Sequence, residues 1–385
     1  MSKPLLFLIT PGGTSGDRKP LAILSVLAAY ASLDKPVTFA FRANALKSFA
    51  FIEKLARYLL GTHFRKKLIL HMFLTAQEYK EFITPENLSK YCIFSQASNS
   101  PGYGILLDFG DNAGTNRFTS KLLTIRERLF SNYFGSLFLP DVGLTWSNMA
   151  SLRELRDFRQ ENVDRKIMLL AGSLNVPFSI ESIVEWVEKH ADDTTWAFIL
   201  VNYKTQNMHT EDKDEKKQNE HLVTKYVTTG YDARILIQRY YTEFEDVMPF
   251  VDFVVTNCGA GSVTVPLAYG KPQTCRWDDN TQGTDKKANS YVISDKLEVG
   301  PTYEQTSFSY LMNKQLATDT DFHKYVENAK RAQTKIQAES AVALNNMVEL
   351  FAKMSSDSEF QNQIQQSREI PKKYANIFNG FSSRL

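Results

Sequence analysis

The chain is poor in cysteine, in long apolar runs and in the short motifs that mark the common enzyme classes. Three cysteines in 385 residues, Cys92, Cys258 and Cys275, are too sparse and too odd in number for a disulfide scaffold, and the usage suits a reducing compartment. No apolar run reaches the roughly 18 residues that a membrane-spanning helix requires; the longest are Pro4–Thr10 and Leu21–Leu33. There is no G-x-x-x-x-G-K-[ST] loop, and neither the first nor the third glycine turn described below reads G-x-G-x-x-G, which disfavours a dinucleotide oxidoreductase. A G-x-S-x-G elbow is missing too, which argues against a hydrolase of that class. The six histidines form no H-E-x-x-H and no Cys/His pair at zinc spacing, so no metal site is expected. No cluster of Lys and Arg interleaved with aromatics stands out, so nucleic acid is not an expected partner.

What is present describes a soluble globular protein: 43% apolar and 23% charged residues, in a length that suits two domains. The net charge of +2 divides unevenly. Residues 1–155 hold 18 Lys and Arg against 11 Asp and Glu, and the remainder 27 against 32, giving +7 and −5. A basic front half suits an acidic partner or peripheral contact with an anionic membrane; a chance scatter of surface lysines is the alternative.

The pattern along the chain alternates strands with helices. In the first half, Leu5–Thr10, Val37–Arg42, Lys67–Leu74 and Ser136–Leu139 read as strands and the short apolar segments Ile93–Gln96 and Ile105–Phe109 as strands or loop edges, with helices over Pro20–Ser32, Leu46–Leu60 and Leu122–Tyr133. Leu21–Ala31 ends in Ala29-Tyr30-Ala31, a signal-peptide-like A-x-A. It follows its own apolar strand and a glycine turn, however, which favours strand, turn and helix over a leader. A polar, charge-rich stretch, Val142–Lys166, has helix-like parts but no strong core pattern and reads as a linker. The pattern then restarts with strands at Ile167–Ala171, Trp196–Asn202, Ala233–Gln238, Phe253–Thr256 and Gln273–Arg276. Helices are expected at Ile180–His190, Phe244–Phe250, Ser262–Tyr269 and Asp321–Lys353. The polar segment Thr210–Glu220 reads as a solvated loop. The expected fold class is therefore α/β, with two successive parallel sheets whose strand carboxyl ends would bind ligand in a cleft between them.

Three strand-to-helix junctions are rich in Gly, Ser and Thr: Pro11–Asp17, Ala171-Gly172-Ser173 and Asn257–Ser262. Unpaired amides and the positive end of the macrodipole make such helix starts suited to anions. Glycine that merely turns the chain is the alternative for any one of them. At corresponding places in two α/β units, the three suggest a phosphate-bearing ligand.

These residues also resemble a known family. Thr14-Ser15-Gly16-Asp17-Arg18-Lys19-Pro20-Leu21-Ala22 looks like the G-[TS]-x-G-D-x-x-P-x-x-A start of the sterol and antibiotic-type UDP-glycosyltransferases, and Ala171-Gly172-Ser173 is similar to the turn opening their second domain. Phe253–Ser262 matches their strand-H-G-G-A-G-[TS] element and Gly270-Lys271-Pro272-Gln273 their G-V-P-Q, with Gln282 ten residues after Pro272. The order and spacing hold over about 270 residues.

The resemblance implies two facing Rossmann-like domains of GT-B type. An acceptor-binding domain would span 1–155 and a nucleotide-sugar-binding domain 156–350, with a tail, 351–385, returning to the first. It implies an inverting, metal-independent transfer of a hexose, taken as glucose, from a UDP-sugar to a hydroxyl of a lipid, sterol or small molecule. No cofactor is needed beyond that co-substrate, and the setting is cytoplasmic or peripheral at a membrane surface. Asp17 stands at the place of the general base, although an Asp ahead of Pro20 also suits a helix cap. Thr14, Gly16, Gly172, Ser173, Asn257, Gly259, Ala260, Gly261, Ser262 and Gln282 would bind the donor, its diphosphate held by backbone amides. Tyr240, with Tyr241 beside it, would border the nucleobase or else pack in the core. Asp319-Thr320-Asp321 spells a D-x-D but precedes a helix and reads as a cap. Cys258, in the phosphate turn, reads as a small buried filler, with a reactive thiol as the alternative.

Four positions depart from the family pattern: Asn257 replaces its His, Cys258 a Gly, Val265 an acidic residue and Thr281 the Asp before its Gln. They keep open a catalytically silent nucleotide-sugar-binding protein. A nucleotide-sugar epimerase of the same kind of fold would be expected to show more acidic and histidine residues around the sugar.

Overall fold

The computed structural model describes residues 1–8, 24–32, 35–42, 46–96, 105–107, 149–171, 178–201, 232–238, 244–256, 260–275, 290, 292–301 and 307–367. The chain divides into two compact units, one of Met1–Leu144 with Ile336–Leu385, the other of Thr145–Lys335. The expected helix Leu122–Tyr133, strand Ser136–Leu139 and loop Thr210–Glu220 lie outside the described residues.

The first unit holds a five-stranded sheet of β1 (Leu5–Leu8), β2 (Val37–Arg42), β3 (Leu68–Phe73), β4 (Cys92–Gln96) and β5 (Ile105–Leu107), in the order β3-β2-β1-β4-β5. All its pairings are parallel. All four residues of β1 are buried, as expected of a central parallel strand covered on both faces. Phe7 of β1 stacks on Phe94 of β4 at 4.9 Å, and Phe351 meets both rings edge-on at 5.7 and 5.6 Å. Phe351 belongs to the long helix Asp319–Ser356, whose last five turns count with this unit. The closing helix Ser358–Ser367 adds Gln361, fully buried, which accepts from Lys3 N at 2.6 Å and donates to Lys3 O at 2.7 Å. One amide side chain thus pairs with the backbone ahead of β1 much as a neighbouring strand would. Two short helices that hydrophobic periodicity did not reveal, Ala76–Phe82 and Pro85–Leu88, start at Thr75 and Thr84, whose hydroxyls accept from Glu78 N and Asn87 N.

The second unit repeats the topology. Its strands are β6 (Lys166–Ala171), β7 (Trp196–Val201), β8 (Ile235–Ile237), β9 (Phe253–Thr256) and β10 (Gln273–Cys275), ordered β10-β9-β6-β7-β8 and all parallel. Read from its own first strand, this is the order of the first sheet. One face packs Trp186, Trp196, Phe198, Phe253, Phe308 and Phe322; the other packs Leu155, Phe158, Val247, Met248 and Val254.

The second cluster corrects the reading of Val142–Lys166 as a linker. Met149–Glu161 is a helix that buries Ser151, Leu155 and Phe158, spaced four and three residues apart and so on one face. Three buried positions among many charges gave too weak a pattern to recognise. The helix therefore lies wholly in the second unit, where the sequence division at 155/156 would cut it. The other division falls at Lys335/Ile336 rather than at 350/351, because Met347, Leu350 and Phe351 are core residues and Phe351 packs on β1 and β4. Counted over the structural units, the charges still come to +7 and −5.

Arg234 fixes the edge of the second sheet. Its guanidinium donates to the carbonyls of Val187, His190 and Asp193 at 3.1, 2.9 and 2.8 Å, and to both carboxylate oxygens of Asp232. It thereby satisfies the carbonyl end of the helix Ile180–Lys189.

Cysteine usage also departs from expectation. Cys275 is disulfide-bonded, whereas Cys92 is a free, buried thiol that burial pushes up to about 12. A disulfide runs counter to the reducing compartment inferred from composition.

Three outcomes follow from these contacts. Arg234→Leu removes the guanidinium shared by Asp232 and three carbonyls, leaving Asp232 Oδ1 only its bond from the backbone N of residue 234, and should lower stability by about 3 kcal/mol, read from urea unfolding. Gly270 has φ +63°, and an added Cβ would lie 2.6 Å from Gln333 Oε1; Gly270→Ala should cost about 1–2 kcal/mol in the same assay. Alkylation without reductant should leave Cys92 and Cys275 of the folded protein unmodified and label Cys92 but not Cys275 after unfolding, Cys275 reacting only after reduction. Mass spectrometry of the labelled peptides reads the pattern.

Candidate functional site

In an open parallel sheet the loops from two neighbouring strands diverge where the connections reverse direction, leaving a crevice outside the strand carboxyl ends. In the second sheet that point lies between β6 and β9, paired through Met168–Phe253, Leu169–Val254 and Leu170–Val255. Two of the glycine turns singled out in the sequence leave these two strands at the same end. Gly172 and Ser173 follow β6 directly, and Asn257 and Gly259 follow β9. In the first sheet the corresponding reversal lies between β1 and β4, and the segment carrying Thr14, Gly16 and Asp17 follows β1.

Of the expected site residues, Ala260, Gly261 and Ser262 are described. They form the first turn of the helix Ala260–Ala268, where the first amides have no partner within the helix. The helix carries no acidic residue in its first turn and no basic residue in its last, so any attraction for an anion comes from amides and dipole alone. Thr14, Gly16, Asp17, Gly172, Ser173, Tyr240, Asn257, Gly259 and Gln282 lie outside the described residues. Gln238, ahead of Tyr240, is buried and donates to Ser151 O at 3.1 Å, tying the end of β8 to the helix Met149–Glu161.

The Gly270–Gln273 element, matched above to a donor signature, has a structural task that sequence reasoning missed. Gly270 N donates to Leu267 O at 3.1 Å and Lys271 N to Pro266 O at 2.8 Å. This is the Schellman closure of a helix, which favours glycine in the left-handed region. Pro272 O accepts from Val254 N at 3.1 Å, joining the segment to β9. Gln273, fully buried, donates from Nε2 to Val263 O at 2.8 Å, inside the helix Ala260–Ala268. On the far side Gln333 donates to Ala268 O at 2.9 Å. The four residues and Gln333 hold the middle and the carboxyl end of that helix, and so constrain the direction in which its first turn points. The signal in the sequence was the glycine followed by Pro-Gln; its meaning is positional.

Val265, at the place of an acidic residue in the resembled family, is 5% exposed and belongs to the core cluster with Leu155, Phe158 and Val254. Gly300 closes the other side of β10: Gln273 N donates to Val299 O at 2.9 Å. A Cβ on Gly300 would fall 1.7 Å from Gln273 O, so only glycine fits that approach. Among the described residues, no group of three or more His, Cys, Asp or Glu could hold a metal ion, and no helix is long and apolar enough to cross a membrane.

No family model matches the sequence, and no curated protein sequence matches it. Solved structures do. A UDP-glucose:anthocyanidin 3-O-glucosyltransferase in complex with UDP is similar at a TM-score of 0.54 and 15% identity, over 92% of this chain and 99% of that one. Arabidopsis thaliana UGT89C1 complexed with quercetin is similar at 0.51 and 13%, over 92% of this chain and 100% of that one. A UDP-glucosyltransferase from Polygonum tinctorium capable of glucosylating indoxyl matches at 0.50 and 10%, over 92% and 99%. With its two parallel, identically ordered sheets, the chain has the GT-B fold of the UDP-glycosyltransferases, built of two Rossmann-like domains.

Proposed function

We propose that the protein is an inverting glycosyltransferase that moves a hexose, glucose first among the candidates, from a UDP-sugar to a hydroxyl of a small-molecule, sterol or lipid acceptor. The observation that carries this reading is the departure of the Gly172-Ser173 and Asn257–Ser262 turns from the adjacent strands β6 and β9 at the reversal point. The similar structures described as complexes with UDP and with quercetin support it.

In this reading the acceptor hydroxyl attacks the anomeric carbon while Asp17 takes its proton. The bond from that carbon to the diphosphate oxygen breaks, and the configuration inverts. Amides of the Gly259–Ser262 turn receive the charge that develops on UDP, with Asn257 as an uncharged donor beside them. Thr14, Gly16, Gly172, Ser173 and Gln282 hold the donor, and Tyr240 borders the base. Neutral dipoles take the charge, so the step needs no metal and no cofactor.

A second reading has its own observation. Val265 points into the core, so the helix offers no carboxylate at that position. A protein that binds nucleotide sugar without turnover is compatible with that loss.

Incubation with a panel of UDP-sugars, with and without lipid extracts and small phenols, separates the two. Acceptor-dependent UDP release is expected, falling about 10²- to 10⁴-fold in Asp17→Asn with donor affinity retained. Donor binding without release under any condition selects the silent binder, and undiminished release in Asp17→Asn removes the base assignment.

A further inference from the structure

All strands of a parallel sheet start at one edge, and in the first unit that edge is lined with cations. Lys3 stands two residues ahead of β1 and Lys35 two ahead of β2; Lys66 and Lys67 come directly before β3, and Lys90 two residues before β4. Arg65 joins them. It and Arg57 lie over the ring of Phe64 at 5.7 and 5.2 Å and share one carboxylate, Glu53, at 3.7 and 2.7 Å. Lys35 is held by the carbonyl and hydroxyl of Ser2. Among the described residues, no carboxylate pairs with Lys3, Lys66, Lys67 or Lys90. Asp357, at the start of the closing helix, is engaged in capping it through Glu359 N and Phe360 N.

The second unit treats the same positions differently. Lys166, at the start of β6, pairs with Asp319; Arg234, ahead of β8, pairs with Asp232; Asp252, ahead of β9, pairs with Arg159. The two edges therefore differ in pairing as well as in the net charge of their units.

Apolar side chains are exposed along the same edge. Helices that connect parallel strands run back to the strand starts. Tyr30 and Tyr58 sit in the last turns of two of them and are 53% and 65% exposed; Ile69, the second residue of β3, is 45% exposed. Tyrosine with an apolar ring and a wet hydroxyl, set among lysines with long apolar stems, suits the boundary between water and lipid.

We propose that this strand-start edge docks on a bilayer carrying anionic lipid. Four strands about 4.8 Å apart place the cations in a row that meets a plane, and each unpaired one contributes about fivefold to binding. Ligands of such a sheet bind at its opposite, carboxyl end, which stays open to solvent when the starting edge is on the membrane. The proposal rests on charge and exposure and stands whether or not a sugar is transferred.

Vesicle co-sedimentation tests it with the full chain. Wild-type protein should pellet with phosphatidylcholine vesicles containing roughly a third phosphatidylserine, stay in solution with phosphatidylcholine alone, and be released by salt. Reversing Lys66 and Lys67 together (K66E with K67E) should weaken binding by at least tenfold at an unchanged unfolding temperature. Lys314→Glu, an exposed position of the second unit, should bind as wild type. Tyr58→Ser should weaken binding where salt no longer acts. Binding unchanged by K66E with K67E overturns the proposal. So does concentration-dependent self-association that this pair abolishes in the absence of vesicle binding, which would assign the edge to the acidic unit of a second copy.

Discussion

The central constraint is the direct pairing of the first strand of each sheet with its fourth: β1 with β4 and β6 with β9. Had neighbours in sequence paired throughout, every crossover would lie on one face and no two loops would diverge. Because the chain returns to the other side of its first strand, helices cover both faces, and the segments after β6 and β9 leave side by side. The apolar content of the central strands follows from the same arrangement. All six residues of β7 and all four of β1 and β9 are buried, which an open two-layer sheet would not require.

That dependence explains which parts were legible in the sequence. Central strands are near-continuous apolar runs bounded by turns, and β2, β9 and the helix Leu46–Leu60 fall where the sequence reading put them. Elements whose burial rests on a few contacts were not legible. Met149–Glu161 shows one serine, one leucine and one phenylalanine to the core, and reads as polar. The closing helix is held by Gln361, whose paired hydrogen bonds to Lys3 leave no hydrophobic trace.

The candidate site divides in the same way. Its loops were legible as glycine-rich turns because helix starts that expose amides need small residues. Their mutual placement came only with strand order. The Gly270–Gln273 element shows why a motif can be recognised before its task is understood. Gly270 is required by a left-handed helix end, the carbonyl of Pro272 accepts from β9 as that of any residue there could, and Gln273 bonds into the helix whose first turn is at issue. None of these groups needs to reach a ligand for the motif to matter to one, since rotation of that helix by a few degrees would re-aim every amide of its first turn.

Charge sets the remaining condition. The unit that would hold a nucleotide diphosphate carries −5, and the helix behind the turn contributes no charged residue at either end. At physiological salt the opposing field of distant carboxylates is screened within about 8 Å. Affinity for an anion must then arise within that distance, from amides aimed at it and a helix dipole that decays over one turn. The demand on geometry rises accordingly: a cation attracts from several directions, whereas an amide contributes only along its own N–H axis. A turn of this kind is useful only when rigidly backed, which is what the Schellman closure at Gly270, the buried Gln273 and the glycine approach at Gly300 supply.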